Sequence, residues 1–147
     1  MIIKFRKAGF YMNINSIYVN LPVKDLKKTR EFWTKLGFSF NEQFSNDDAI
    51  CLILNEGMIY AMLIKHEFFL NFTNRPIADS STTQVLLAIG VESKERVDEV
   101  LKIALENGAT RYLDPQDESW MYYDRFADLD GHQWEVMFAD ESLIPKE

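Results

Sequence analysis

The chain is short and acidic, and these bulk properties exclude several classes of partner. Its 147 residues suit one domain or two very small fused modules, and a net charge of −7 argues against nucleic-acid binding and against an anionic membrane surface, both of which favour basic patches. A single cysteine, Cys51, excludes an internal disulfide, and no apolar run approaches the roughly 20 residues of a membrane span, so a cytoplasmic location is expected.

The first half of the chain has the pattern of a strand, a helix and three further strands. Asp25 is a good helix N-cap, Gly37 is a good residue to follow the helix, and apolar residues between them mark one helical face. A turn is expected at residues 55–57, where Asn-Glu-Gly interrupts the apolar pattern. The strands predicted in this half are residues 16–21, 38–44, 49–54 and 58–65.

The second half repeats this order. Ser93 is the expected N-cap of a helix that ends at Asn107 and Gly108, and its apolar positions have the i, i+3, i+4, i+7 spacing of a one-sided helix. An Asp-Leu-Asp-Gly turn is expected at residues 128–131. The strands predicted in this half are residues 84–89, 110–113, 120–127 and 132–138.

The two halves match at an offset of 68 residues, which places Tyr18 over Leu86. In each strand, alternate residues are apolar and are expected to face the helix, whereas the opposite face is polar, aromatic or small. The residues expected beneath the helices are Ile17, Val19, Leu21, Val85, Leu87, Ile89, Trp134, Val136 and Phe138. This repetition predicts an α+β fold in which two tandem βαβββ modules form a curved sheet around an open cleft.

The domain boundaries follow from the repeat. A single domain is expected over residues 13–139, with module one at 13–66, a connector at 67–82 and module two at 83–139. Within the connector, Phe68, Phe69 and Phe72 predict one face of a short helix, which is interpreted as a cap on the sheet in preference to a functional lid. Residues 1–12 are interpreted as an N-terminal extension, with Met12 as an alternative start, and residues 140–147 as an acidic, solvated tail.

Three motifs accompany the repeat. They are Leu-Pro-Val-Lys-Asp at residues 21–25, Glu-Phe-Trp at 31–33 with Leu-Gly-Phe at 36–38, and Asp-Leu-Asp-Gly-His-Gln-Trp-Glu-Val at 128–136. In this order and spacing the chain resembles the vicinal-oxygen-chelate superfamily, which includes glyoxalase, the bleomycin-resistance proteins and the extradiol dioxygenases. The resemblance covers about residues 13–139 and implies a small molecule that is bound or transformed in the cleft.

The resemblance also implies where a metal ion would be held, and this chain lacks most of the donors. In the metal-dependent members, four ligands come from cleft-facing strand positions, which fall here on Tyr18, Met62, Leu86 and Glu135. A phenol, a thioether and an isobutyl group around one carboxylate do not suit a divalent transition metal, which prefers imidazole, thiolate or carboxylate donors. The expectation is therefore a cleft without a metal or another cofactor.

Glu135 is the candidate catalytic residue because strand parity directs it into the cleft. Among apolar neighbours a carboxyl pKa is raised, which suits a general base. Two other roles stay open, an anchor for a cationic or polar ligand and a structural hydrogen bond to Tyr18 or Asn20. The residues expected to contact a ligand are Tyr18, Asn20, Met62, Leu86 and Ala88.

The remaining chemistry-bearing residues are given structural roles. His132, next to the turn at residues 128–131, is expected to help packing or turn hydrogen bonding, and His66 is expected to be exposed. Cys51 lies in an apolar run, which favours a buried thiol over a nucleophile.

Two functions are compatible with these residues. The leading one is a metal-free protein that binds a small organic molecule, as the bleomycin-resistance members do, with aromatic walls for a planar or cationic guest. The candidate walls are Tyr18, Tyr60, Trp120, Tyr122 and Tyr123. The alternative is a glyoxalase-like lyase or isomerase, or a dioxygenase, that uses Glu135 as a base or a metal ligand. The missing histidines at positions 18 and 86 favour binding over catalysis.

A homodimer is also expected, because half-open sheets of this superfamily are commonly closed by a partner subunit.

Overall fold

The computed structural model describes residues 12–146, which form two modules of the same construction. The first contains β1 (Ile17–Val23), α1 (Leu26–Lys35), β2 (Ser39–Asn41), β3 (Ala49–Asn55), β4 (Ile59–Lys65) and a short helix α2 (His66–Phe69). The second contains β5 (Leu86–Gly90), α3 (Lys94–Glu106), β6 (Gln116–Glu118), β7 (Met121–Ala127) and β8 (Gln133–Ala139). Single 3-10 turns occupy Glu42–Phe44, Leu70–Phe72 and Glu141–Leu143.

The two sheets have equivalent strand orders, β1-β4-β3-β2 and β5-β8-β7-β6. In each sheet the first and last long strands run parallel, β1 with β4 and β5 with β8, and the other neighbours are antiparallel. A parallel pair needs a long crossover, and the helix with its two following strands supplies it in both modules. The predicted α+β fold of two tandem βαβββ modules is confirmed.

The helix caps predicted from the sequence are also confirmed. The Asp25 carboxylate accepts a hydrogen bond from the backbone N–H of Lys28 (3.0 Å), and the Ser93 hydroxyl accepts one from the N–H of Arg96 (3.1 Å). The two caps are 68 residues apart, the same offset that relates Tyr18 to Leu86. Local capping chemistry therefore fixes the start of each helix relative to its preceding strand.

One apolar core lies beneath both helices and joins the modules. Trp33 of α1 packs edge-on against Trp134 of β8, with ring centroids 4.8 Å apart, and is within 6.3 Å of the Phe126 ring of β7. These three side chains are at most 1% exposed. Helix α1 thus reaches across to the second sheet, so the modules share their buried surface.

Two predicted strands differ from the structure for identifiable reasons. The strand expected at residues 110–113 is wrong, because only Thr110 pairs, in a single bridge with Ala127, and the sheet continues instead at β6. Pro115, which has no N–H to donate to a ladder, separates this segment from β6. The strand expected at 38–44 is shorter, because the side chain of Asn41 accepts from the N–H of Gln43 (3.0 Å) and starts a 3-10 turn.

Strand alternation correctly predicted which face the helices cover for most residues, but the prediction is wrong at the start of two strands. Ile17 is 54% exposed and Val85, just before β5, is 45% exposed, whereas Leu21 and Val23 are buried. The helices therefore cover the later part of each first strand and leave its beginning open.

The connector and the chain ends follow the prediction in part. The connector forms α2 and a 3-10 turn, in which Phe68 and Phe72 make an edge-on contact with ring centroids 5.3 Å apart. The C-terminal tail contains the 3-10 turn at Glu141–Leu143 and is exposed at residues 141–146. Of the predicted extension, residues 1–11 lie outside the described residues. Within residues 12–146, no helix is both long enough and apolar enough to cross a membrane.

Candidate ligand-binding cleft

The strand faces that the helices leave uncovered form the candidate site. On the first sheet, Asn20 of β1 lies beside Met62 of β4, and Tyr18 stacks on Tyr60 with ring centroids 4.7 Å apart. These side chains point away from the core because Leu21, the next residue along β1, is buried in it. The structure thus brings Tyr18, Asn20 and Met62 together on one wall, which we call the first cleft wall.

The second sheet carries the other predicted residues. Ala88 of β5 lies beside Glu135 of β8, and Leu86 lies beside Gln133. On β8 these side chains alternate with Trp134 and Val136, which are 1% and 0% exposed. Leu86, Ala88 and Glu135 therefore share the uncovered face of this sheet, the second cleft wall.

Both walls present apolar surface to solvent. Tyr18 is 45% exposed and Leu86 is 54% exposed, although each belongs to a strand of a folded sheet. Tyr60, beneath the Tyr18 ring, is only 7% exposed, and its hydroxyl accepts a hydrogen bond from the N–H of Gly57 (2.6 Å). An open face with stacked aromatic and aliphatic side chains is suited to an apolar guest.

Glu135 is paired with a cation that the sequence reasoning missed. The Nε atom of Arg125 on β7 lies 3.6 Å from Oε1 of Glu135, and the two residues are directly opposite in the antiparallel register of β7 and β8. The four-residue turn expected at residues 128–131 would have set Arg125 opposite Trp134, one residue out of the register that the structure shows. Glu135 therefore faces a guanidinium group rather than the wholly apolar surroundings expected for it.

Arg125 is itself held firmly. Its guanidinium lies over the Tyr123 ring, 4.6 Å from the centroid, and its Nη1 donates to the backbone carbonyl of Asp114 (3.1 Å). Its side chain is 11% exposed, against 28% for Glu135. Stacking and a backbone hydrogen bond fix the cation beside the carboxylate.

Tyr112, in the segment before β6, is close enough to Arg125 and Glu135 for both charges to act on its pKa. Its hydroxyl is buried and has no hydrogen-bond partner among the described residues, and the same holds for Nε of Arg125. Burial, and then the nearby negative charge of Glu135, raise the pKa of Tyr112, while the positive charge of Arg125 opposes the shift. We refer to Tyr112, Arg125 and Glu135 as the Arg125 cluster.

A separate cavity of about 230 Å³ lies where β1 meets the connector and the start of β8. Of the predicted ligand residues only Asn20 lines it, and Gln133 contributes from β8. Further lining comes from the connector, which includes Phe69, Arg75 and Ile77. The uncovered faces of both sheets thus reach this cavity, but Tyr18, Met62, Leu86, Ala88 and Glu135 belong to the open surface beyond it. We place the candidate site on that surface, because it carries the charged pair of Arg125 and Glu135.

The residues at the cleft do not fit the metal of the metal-dependent family members. Within residues 12–146, no three histidine, cysteine, aspartate or glutamate side chains lie close enough together to hold an ion. The positions that correspond to the ligands carry Tyr18, Met62 and Leu86, and the one carboxylate among them, Glu135, already faces Arg125. These residues therefore lack the donor set that a divalent transition metal needs.

Three other predicted residues have structural positions. Tyr122 is not a cleft wall, because its hydroxyl donates to Asp98 of α3 (2.5 Å) on the helix-covered face. His132 donates from Nε2 to the carbonyl of Pro22 (2.7 Å), which ties the turn before β8 to β1. Cys51 is fully buried, and burial raises the pKa of its thiol, so the predicted structural thiol is confirmed.

Comparisons with known proteins agree with this architecture. The sequence model described as the Glyoxalase/Bleomycin resistance protein/Dioxygenase superfamily matches residues 15–136. The structure of hypothetical protein SA1046 from S. aureus is similar, with 28% identity, a TM-score of 0.73 and coverage of 87% of this chain and 96% of that one. The comparison with curated proteins gave no match.

Two more distant structures share the fold. A glyoxalase/bleomycin resistance protein/dioxygenase family enzyme from Burkholderia phytofirmans PsJN has 22% identity and a TM-score of 0.68, over 83% of this chain and 96% of that one. A bleomycin resistance determinant encoded on transposon Tn5 has 15% identity and a TM-score of 0.60, over 86% and 99%.

Proposed function

The chain belongs to the glyoxalase/bleomycin resistance protein/dioxygenase superfamily, and from this premise we propose that it is a metal-free protein that binds a small organic molecule in its cleft. The composition of the two cleft walls carries the proposal. Tyr18 and Leu86 expose apolar surface, and the Arg125 cluster adds a few polar groups beside it. Mostly apolar surfaces with a small number of polar groups have the composition of ligand sites.

Binding is favoured over turnover by the state of Glu135. A general base must reach a substrate proton, whereas this carboxylate already faces the guanidinium of Arg125 at 3.6 Å. A lyase, isomerase or dioxygenase reaction through Glu135 is the competing outcome in the experiments below.

A cytoplasmic location belongs to the same proposal, because the single cysteine is a buried thiol and not part of a disulfide.

The absence of a metal is tested by elemental analysis of the purified protein. The expected result is no stoichiometric zinc, nickel, manganese or iron, and no increase in melting temperature when these ions are added, since a ligand that binds only the folded state stabilises it. One metal ion per chain that is lost in Glu135→Ala would show that the cleft is a metal site.

Binding in the cleft is tested by screening a library of small organic molecules for those that raise the melting temperature. Leu86→Ala should abolish the effect of the true ligands, because Leu86 is a wall residue. Leu143→Ala is the matched control, since Leu143 has nearly the same exposure (55% against 54%) but lies in the turn after β8. Ligands that bind Leu86→Ala and the wild type equally well would place the site elsewhere.

One further variant distinguishes a ligand-binding role of Glu135 from a catalytic one. Glu135→Gln keeps the size of the side chain and removes its charge. If Glu135 helps to bind the ligand, the dissociation constant should rise and product analysis should show no conversion by either protein. Turnover by the wild type that Glu135→Gln abolishes, with little change in affinity, would establish an enzyme instead.

A further inference from the structure

We propose that the cavity of about 230 Å³ beside Asn20 is a second binding site and that it takes a zwitterion of the size of a small amino acid. Arg75 binds the carboxylate of this ligand, and Asp130 binds its ammonium group. The inference goes beyond the function proposed for the cleft, because Asn20 is the one residue of the two cleft walls that also lines the cavity.

Hydrogen bonds between segments far apart in the chain hold the walls of the cavity in place. The Thr83 hydroxyl, just after the connector, donates to Oε1 of Gln133 on β8 (2.5 Å). The bond from His132 to the carbonyl of Pro22 (2.7 Å) ties the turn before β8 to β1. All four residues line the cavity. The site is therefore formed before a ligand arrives, which lowers the entropic cost of binding.

Asp130 is a fixed carboxylate with one oxygen still available. Its Oδ1 accepts a hydrogen bond from the backbone N–H of Lys24 (2.8 Å), which belongs to the other module. Its Oδ2 has no hydrogen-bond partner among the described residues, and the residue is half-buried at the edge of the cavity. An ammonium group can therefore donate to Oδ2 without a change in the orientation of the carboxylate.

Arg75 supplies the positive charge on the connector side of the cavity. Its backbone N–H donates to Oγ1 of Thr73 (3.1 Å), and Pro76, the next residue, favours an extended backbone at Arg75. Its guanidinium forms no ion pair with any described residue, although Asp130 lines the same cavity. The two opposite charges thus face a common space without neutralising each other.

The charges at the cavity favour a ligand that carries both signs. Asp79 also lines the cavity, with Oδ1 already bonded to the N–H and the hydroxyl of Ser81, and adds a second negative charge. A simple anion would pair with Arg75 but be repelled by two carboxylates, and a simple cation would be repelled by Arg75. A zwitterion can place its carboxylate at Arg75, where a guanidinium binds it through two parallel bonds, and its ammonium group at Asp130.

The volume and the apolar lining define the rest of the ligand. About 230 Å³ is the volume of roughly eight water molecules in the liquid, and it is below the roughly 300 Å³ at which sites for drug-sized ligands begin. Phe69, Ile77 and Val85 contribute apolar side chains to the lining. An α-amino acid with a short aliphatic side chain, such as leucine, matches both the size and this lining.

Three probes with the same carbon branch test the inference. Leucine carries both charges, isoamylamine is leucine without its carboxylate, and isocaproate is leucine without its ammonium group. Their dissociation constants for the wild type are measured by isothermal titration or by protein-detected NMR. Leucine should bind tightest, on the order of tenfold ahead of each analogue, a ratio that corresponds to about 1.4 kcal/mol.

Each charge variant should weaken the probes that carry the group it binds. Arg75→Gln should weaken leucine and isocaproate but not isoamylamine. Asp130→Asn should weaken leucine and isoamylamine but not isocaproate, and its amide oxygen can still accept from the N–H of Lys24. Arg96→Gln and Asp140→Asn are the matched controls, since both residues are in hydrogen bonds away from the cavity, and should leave all three dissociation constants unchanged.

Several results would overturn the inference. They are leucine that binds no tighter than its analogues, no binding of leucine up to its solubility limit, and an equal loss for all three probes in Arg75→Gln or Asp130→Asn. Circular dichroism checks that each variant is folded, and the wild-type order alone decides the inference if a variant does not fold. The function proposed for the cleft is decided separately, by the library screen with Leu86→Ala and Leu143→Ala.

Discussion

Asp124 is a buried carboxylate that holds an irregular segment against the sheet. It is 2% exposed, and it accepts hydrogen bonds from Nε (3.1 Å) and Nη2 (2.6 Å) of Arg111 and from the N–H of Arg125 (2.7 Å). These bonds offset the cost of removing the charge from water. Residues 110–113 are therefore attached to β7 by this ion pair and a single bridge rather than by a β-ladder.

Substituting Arg111 and substituting Asp124 should lower the free energy of unfolding by different amounts. Arg111→Met leaves a buried carboxylate without its cation and should lower the free energy of unfolding by about 3 kcal/mol. Asp124→Asn keeps an acceptor for the backbone and leaves Arg111, which is 40% exposed, free to be hydrated, so the loss should be about 1 kcal/mol. Urea denaturation measures both. Arg96→Met is the control, because Arg96 is in exposed ion pairs of little energetic value. A loss of stability in Asp124→Asn that equals or exceeds the loss in Arg111→Met would contradict the explanation.

Tyr122 is a residue whose ionisation should affect stability at high pH. Its hydrogen bond to Asp98, with partial burial, raises the pKa of Tyr122 from 10.0 to about 12. Because the folded-state pKa is above that of the unfolded chain, this group's stabilisation is complete below pH 10 and is lost as the pH rises towards about 12. Asp98→Asn should lower the pKa of Tyr122 towards 10.0.

Phenolate absorbance during an alkaline titration measures this shift. Subtracting the titration curve of Tyr122→Phe isolates Tyr122 from the other tyrosines. A Tyr122 pKa that is the same in the wild type and in Asp98→Asn would mean that the hydrogen bond does not cause the shift.

Among the elements, both long helices end in a glycine with a positive φ. Gly37 has φ +92° with free space around it, whereas Gly108 has φ +102° and a β-carbon added there would lie 2.9 Å from Cδ2 of Leu129. We expect Gly37→Ala and Gly108→Ala each to cost about 1 to 2 kcal/mol, because a β-carbon is strained in this backbone region. The contact at Gly108 should add little, since Leu129 is 40% exposed and its end can move. Thermal unfolding compares the two, and a much larger loss at Gly108 would show that Leu129 is fixed.

The elements show which parts of the fold were predictable from sequence. Helix starts and ends were predicted correctly because a cap depends on a few neighbouring residues, as at Asp25 and Ser93. The strand at residues 110–113 was wrong because this segment is attached by one bridge and by the ion pair of Arg111 with Asp124, which the local sequence pattern does not reveal. Local sequence signals therefore predict helices well, whereas the irregular segments depend on contacts between residues that are far apart in the chain.

The candidate site was predictable to a similar degree. Strand alternation placed Tyr18 and Glu135 on uncovered faces, because the period of a strand is fixed by its backbone. Arg125 was missed because an isolated arginine on a strand resembles any surface charge until the register pairs it with Glu135. The cavity beside Asn20 was not predictable, since residues 73–82 of the connector, which form much of its lining, have no regular pattern.

At the scale of the whole molecule, the shared core makes the two modules one unit. The Trp33–Trp134 contact and the bond from His132 to Pro22 cross between them. What this core leaves open is an apolar patch at the beginning of the first sheet, where Ile17 lies beside Ile59 and its N–H donates to the carbonyl of Met58 (2.8 Å). Ile17, Ile59 and Met58 are 54%, 39% and 57% exposed, and β1 is an outer strand of its sheet.

We predict that a second copy of the chain covers this apolar patch and that the protein is a homodimer. Contiguous exposed apolar side chains on a sheet edge commonly mark an association surface, because their burial is favourable and their exposure invites aggregation. Light scattering at micromolar concentration should give twice the mass of the chain. The double variant Ile17→Lys and Ile59→Lys should be a monomer, since two charges cannot be buried in an apolar contact.

The control for the dimer lies at the opposite edge of the same sheet. Phe44, in the turn after β2, is 57% exposed and is not part of the apolar patch, so Phe44→Lys should remain a dimer. Dissociation by Phe44→Lys but not by the double variant would move the interface to the β2 edge. A wild-type protein with the mass of one chain would contradict the homodimer, because the exposed isoleucines would then be tolerated in water without a second copy to cover them.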